Sequence, residues 1–270
     1  MKKSVIFLLC ALLLLCACGK TEEPAPVPQE PEEIEQIEPV ENPPQDEIPS
    51  AAVAYTDDSV NEKYYDDGSD DILVSLEINL PKVKNNADIA YFYENLKEKL
   101  VEEAKSYIDS AKLEKKNAED YGGSFAEFAF STDYSVCRND ALFFSVLRNY
   151  YCYTGGAHPN TVLFLDNFNP QTGGRLAFSD LFNIPEKEAY ERVSTYILEQ
   201  MDANDKANDF DMYYPSARED LYGSWNNEDF YLTEDDLMIV YQSYSIAPYA
   251  AGIQEFAVPL SGIADILATK

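Results

Sequence analysis

The chain's one histidine, His158, sits in Tyr153-Thr154-Gly155-Gly156-Ala157-His158-Pro159-Asn160. Paired glycines reach backbone angles closed to other residues and Pro159 fixes the exit, so the run describes a shaped loop at the end of a strand. A catalytic histidine needs an oriented partner and a nucleophile or activated water. No Gly-x-Ser-x-Gly elbow and no His-Glu-x-x-His helix occurs, so no catalytic residue is named. His158, Tyr153, Asn160 and Tyr249 are instead candidate ligand contacts. Tyr213, Tyr214 and Trp225 form a second candidate set, where aromatics anchor a protein or stack on sugar; the same rings suit a core equally well. With 49 Asp and Glu, a carboxylate pair for glycoside hydrolysis stays open, because the separation of the two groups is not visible in a sequence. One histidine and cysteines without chelating spacing argue against a metal site, and no cofactor is expected.

The formal charge of −29 over 270 residues disfavours binding to nucleic-acid phosphates or capture of anionic lipid by a basic patch. That charge is unevenly spread. Lys2 and Lys3 precede an apolar run from Val5 to Leu15, the pattern of an export signal too short to span a bilayer. Its end, Leu15-Cys16-Ala17-Cys18-Gly19, resembles the lipobox of bacterial lipoproteins. That resemblance implies a signal peptide over residues 1–17, lipidation of Cys18 and a cell-membrane location on the extracytoplasmic side; an ordinary signal cut near Ala17 is the alternative. Acyl chains contribute roughly 0.8 kcal/mol per buried methylene, enough for anchoring without electrostatic help. From Thr21 to Ser50 run ten acidic residues and eight prolines with no Lys or Arg. Such a segment cannot build a core, and residues 18–54 are expected to be an extended acidic tether.

Residues 55–270 are long enough for one folded unit. Ile72, Val74, Leu76, Ile78 and Leu80 alternate with polar residues, which predicts a strand over 71–80 that Pro81 ends. Apolar residues at three- and four-residue spacings predict one long helix from Asp88 to Lys116, capped by Asn85. Strands follow over 125–136, 142–153 and 162–168, the first two joined by a turn at Arg138-Asn139-Asp140-Ala141. Pro185 opens a second helix through Ala189, Val193, Ile197 and Met201. Residues 202–228 read as irregular, 237–241 and 254–258 as closing strands, and 263–267 as a final helical turn. The expected class is α+β: two layers, a mostly antiparallel sheet against two main helices. With a two-residue turn at Asn139-Asp140, Cys137 would face Leu142 and Cys152 would face Glu127. The thiols would then lie roughly 33 Å apart, against a disulfide limit near 7 Å, so both are expected to be buried and free.

The run Tyr150 to Asn160, centred on Thr154-Gly155-Gly156-Ala157-His158, resembles the hallmark of the bacterial domain of unknown function 3298 (DUF3298). Thr172-Gly173, Asp180-Leu181-Phe182, Phe230-Tyr231-Leu232-Thr233-Glu234 and Tyr244-Ser245-Ile246-Ala247-Pro248-Tyr249-Ala250-Ala251-Gly252 keep that family's order. Residues 55–140 are similar to its upstream companion, DUF4163, and residues 141–270 to DUF3298 itself. Family members resemble the extracellular half of a lysozyme-binding anti-sigma factor, and a similar region precedes the catalytic domain of certain peptidoglycan deacetylases. The resemblance implies an exported recognition module. Against those relatives, no cytoplasmic anti-sigma segment before the anchor and no deacetylase domain after the module is expected. The doubled Gly173-Gly174 departs from a pattern in which a basic residue follows one glycine. The expected function is surface-tethered binding of a protein, lysozyme-like by that resemblance, or of peptidoglycan. The alternatives are a cell-envelope carbohydrate hydrolase using paired carboxylates, or a structural envelope protein.

Overall fold

The computed structural model describes residues 52–268, all within one compact unit. Export signal, Cys18 and most of the tether lie outside the described residues. Five strands, β1 (Tyr55–Tyr65), β2 (Ile72–Val83), β3 (Phe128–Asn139), β4 (Phe144–Tyr153) and β5 (Asn160–Phe168), form a sheet in chain order. Its pairings are antiparallel except β2 with β3, where the crossover is helical. That crossover is two helices, α1 (Ala87–Ser106) and α2 (Ile108–Tyr121), interrupted at Tyr107. The long helix expected from periodicity is thus broken at Tyr107, whose backbone N–H caps α1 on the Ala104 and Lys105 carbonyls; the apolar spacing runs on through the break and does not reveal it. Asn86, one residue beyond the expected Asn85, caps α1 by accepting from the N–H groups of Asp88 and Ile89.

The buried face of β2 (Leu76, Ile78, Leu80) meets Ile89, Tyr93, Leu100 and Ala104 of α1. Each large side chain buried there contributes roughly 1.5–3 kcal/mol. Pro81 does not end β2; it pairs with Asp57 of β1 beyond Ile78, the last β2 residue paired with β3, so one side of β2 is already an edge there.

A second sheet lies on the other side. The strands β6 (Phe230–Leu232), β7 (Asp236–Tyr241) and β8 (Gln254–Pro259) are antiparallel in that order, with α3 (Glu186–Asn208) over one face. Pro185 is the cap residue of α3, just outside the helix. Leu237 and Ile239 point into a core with Tyr190, Val193, Ile197 and Met201, while Val240 and Tyr231 meet Leu163 and Leu165 of β5. The α+β class holds, with a mostly antiparallel sheet beneath α1 and α2; the small sheet and α3 add a second sheet–helix pair behind it. Residues 263–267 form turns and a bridge from Leu267 to Phe182, not a helix.

The β3–β4 register differs from expectation. Asp140, not Asn139, organises the turn, its carboxylate accepting from the N–H groups of Leu142 and Phe143. A bulge falls at Cys137, between the pairs Val136–Val146 and Arg138–Ser145. Cys152 therefore faces Phe130, seven positions from Cys137. That is roughly 23 Å, and no disulfide joins the two cysteines. Cys152 is buried as expected, whereas Cys137 is only part-buried.

Candidate functional site

Strand register gathers two features at one end of the large sheet. Ser75 of β2 pairs with Ala129 of β3, which pairs with Tyr153 of β4, and Cys152 beside it pairs with Asn160 of β5. The starts of β2, β3 and β5 and the end of β4 therefore share that end, with β2 and β5 roughly 14 Å apart at three strand spacings.

At the β2–β3 side, α2 and the strand starts enclose a groove of about 400 Å³, floored by Ile72, Ala118 and Phe125. Asp71, Glu119, Glu127 and Lys115 line it. Lys115 is held by Asp66 at 2.8 Å and Asp71 at 2.6 Å. Its hydrogen bond and charge keep the Asp71 carboxyl below the usual carboxylate range. The cation of the groove is thereby committed; Glu119 and Glu127 are both exposed, and Glu127 accepts from Ser75 Oγ at 3.3 Å. Sequence reasoning left a carboxylate pair open without naming members. No periodic signal joins Glu119 on a helix to Glu127 in the approach to a strand.

At the β4–β5 side lies the glycine loop, Gly155 and Gly156 at φ 90° and 99°. Here the structure brings together four of the nominated residues. Tyr153 Oη donates to the Gly156 carbonyl at 3.2 Å, and Asn160 is exposed at the start of β5. His158 stacks on Tyr249, ring centroids 3.9 Å apart and planes 20° off parallel. Tyr249 Oη donates to the Pro159 carbonyl at 3.1 Å, bolting the loop after β7 to the glycine loop. In the neutral ring, His158 Nδ1–H donates to that same carbonyl at 2.8 Å, and Nε2 faces Tyr244 Oη at 3.4 Å.

The other nominated aromatics lie elsewhere. Tyr213 is buried, and its hydroxyl accepts from Asn204 of α3. Trp225 is buried against Tyr190, with Nε1 donating to the Asp229 carbonyl. Tyr214 is part-buried against the same core. This cluster holds the irregular segment after α3 to the small sheet. Tyr244, which sequence reasoning missed, joins His158 and Tyr249. Among the described residues no group of three His, Cys, Asp or Glu side chains is placed to hold a metal, and no helix is long and apolar enough to cross a membrane.

A sheet with a helical crossover, backed by a smaller sheet and helix and carrying these two features at one end, defines an α+β domain whose fold is known. Residues 179–261 match the family described as a protein of unknown function (DUF3298), and residues 68–161 match the family described as deacetylase PdaC. The fold is shared with a member of the DUF3298 family from Bacteroides fragilis at 23% identity and TM-score 0.63, covering 82% of this chain and 95% of that one. It is shared too with a DUF3298 family protein from Pseudomonas aeruginosa at 18% identity and TM-score 0.56, covering 81% and 96%. No curated protein matches the sequence. The glycine loop with His158 thus falls in the segment similar to the deacetylase, and the DUF3298 match begins later than the resemblance implied.

Proposed function

We propose that this chain hydrolyses cell-envelope carbohydrate. One observation carries the reading: the groove bearing Asp71, Glu119 and Glu127 lies wholly within residues 68–161, the segment similar to a protein described as a deacetylase. That likeness favours the carbohydrate-hydrolase alternative over capture of a basic protein. Glycoside hydrolysis needs one carboxylic acid to protonate the leaving oxygen and one carboxylate to activate water or attack the sugar. Glu119 and Glu127 are the candidates for those roles. In this reading the chain stands outside the cell, held by lipid on Cys18 and spaced by its acidic tether; mass spectrometry of the mature N-terminus tests the anchor.

The test incubates the full chain with purified peptidoglycan and with N-acetylglucosamine oligomers, reading new reducing ends and free acetate. New reducing ends are the product expected of the carboxylate pair, with Glu119→Gln or Glu127→Gln lowering their rate by about 100-fold or more; acetate without reducing ends would put the cleavage at the acetyl group and overturn the glycosidase roles. If neither product accumulates, hydrolysis is wrong. A second reading, binding of the same glycans without turnover, is favoured by the aromatic stack at His158, and saturable binding without product would establish it.

A further inference from the structure

Tyr244 is a large exposed ring on a backbone that side chains avoid. Its φ is 71°, in the left-handed region, and 55% of its surface is exposed. Its surroundings hold it there. Ile246 and Ala247 are fully buried, the Ile246 carbonyl accepts from the Tyr214 N–H, and the Gln242 amide bonds both the N–H and the carbonyl of Leu163. Strain of this kind persists only where the surrounding structure over-determines it. The Tyr244 ring lies 5.7 Å from Tyr249, which stacks on His158, so three rings stand together at the sheet end that also carries the groove.

The charge pattern around these rings is the second observation. In a chain of formal charge −29, residues 153–163 and 242–254, the two segments that build the stack, contain no Asp, Glu, Lys or Arg. A basic protein partner would be met by carboxylates, and an anionic lipid headgroup by lysine or arginine. Flat rings edged with hydroxyls and lacking charged side chains suit the C–H face of a neutral pyranose.

We propose that Tyr244, Tyr249 and His158 form a sugar-stacking subsite for a neutral, N-acetylated hexosamine glycan, extending the groove's substrate toward β5. The proposal rests on the carbohydrate reading above and adds its second point of contact. Tyr244→Gly separates a binding role from a structural one, because glycine relieves the left-handed backbone. Calorimetric titration of the full chain with N-acetylglucosamine oligomers is expected to show saturable binding that varies little between low and high salt. Tyr244→Gly and Tyr249→Ala should each weaken it roughly tenfold or more, with the Tyr244→Gly urea midpoint equal to or above that of the parent. Tyr249→Phe should retain the binding. If oligomers bind or are cleaved and the platform variants behave like the parent, the subsite is wrong and the carbohydrate reading stands. Binding that collapses with salt overturns the neutral-glycan assignment. If the parent neither binds nor cleaves any oligomer or peptidoglycan, both fall.

Discussion

Arg148 and Asp166 form a two-point pair inside the large sheet, Nε and Nη2 of the guanidinium each donating to a carboxylate oxygen, with 6% and 1% of the side chains exposed. Tyr93 of α1 donates to the same carboxylate at 3.3 Å, so the pair also ties the crossover helix to the sheet. Removing Asp166 leaves Arg148 as an unpaired buried charge, and removing Arg148 leaves Asp166 only the half-exposed Arg175 at 3.6 Å and the Tyr93 hydroxyl; breaking such a pair costs about 3–5 kcal/mol, whereas replacing both by apolar side chains removes the penalty with the interaction. Asp166→Asn and Arg148→Met should therefore each lower the urea midpoint strongly, and the Arg148→Met/Asp166→Leu double variant should lose less than the sum of the singles. Single losses below about 1 kcal/mol would contradict this account.

Thr132 presents the opposite case. It is 3% exposed, and its hydroxyl is a buried side-chain oxygen with no hydrogen-bond partner, beneath α1. An unpaired buried polar group costs about 1–3 kcal/mol, and valine has nearly the same shape. Thr132→Val should raise the urea midpoint by an amount equivalent to roughly 1 kcal/mol. A clear loss of stability would mean that the hydroxyl has a role the geometry does not reveal.

Asp229 gives the fold a pH dependence of distinctive sign. Burial raises its carboxyl from 3.8 to about 6, opposed by a hydrogen bond from Gln242 and reinforced by Glu228. Between those values the folded state binds more protons than the unfolded one, so stability falls as pH rises from about 4 to about 6 and then levels. Asp66 and Asp71, lowered through Lys115, act with the opposite sign and below that window: their contribution is present above 3.8 and is lost as pH falls further. Asp229→Asn should flatten the slope between pH 4 and 6 and add roughly 1–2 kcal/mol at pH 7, discounted for partial exposure. Urea midpoints at half-unit pH intervals measure both effects; an unchanged slope would show that Asp229 is not the titrating group.

What the sequence made legible follows from where apolar residues recur. β2 and α3 were readable because one face of each is buried at a regular period. β1 was not, since Tyr55-Thr56-Asp57-Asp58-Ser59-Val60-Asn61-Glu62-Lys63-Tyr64-Tyr65 is an edge strand with most of its surface in water and no apolar alternation. The β3–β4 register slipped because a bulge at Cys137 and an Asp140-centred turn both act through local hydrogen bonds that periodicity does not encode. For the site, the glycines and Pro159 marked the loop at His158, and Tyr249 was nominated with it. Tyr244 escaped notice because its backbone conformation is the one a sequence gives least reason to expect of tyrosine. Trp225 and Tyr213 belong to a dense aromatic run that suits a ligand surface or a core equally, and an irregular segment needs its own core as much as a regular one.

Gly173 and Gly174 look interchangeable in the sequence, and the structure separates them. Gly173 has φ 72°, and a Cβ built there would lie 2.7 Å from Asn86 Oδ1 and 2.8 Å from Asp88 Cβ. Asn86 is the α1 cap and also donates to the Pro170 carbonyl, so the turn at 169–174 and the helix start brace each other. Gly174 has no left-handed requirement, and its Cβ would meet only Thr172 Oγ1 at 3.3 Å. Gly173→Ala therefore combines a backbone penalty of about 1–2 kcal/mol with a clash against the cap, for an expected loss of at least about 2 kcal/mol. Gly174→Ala should cost about 1 kcal/mol or less, the hydroxyl being able to turn away. Hydrogen exchange at the first turn of α1 distinguishes the mechanism: faster exchange of the Asp88 and Ile89 amides in Gly173→Ala alone supports bracing through Asn86, while equal behaviour of the two variants would refute it.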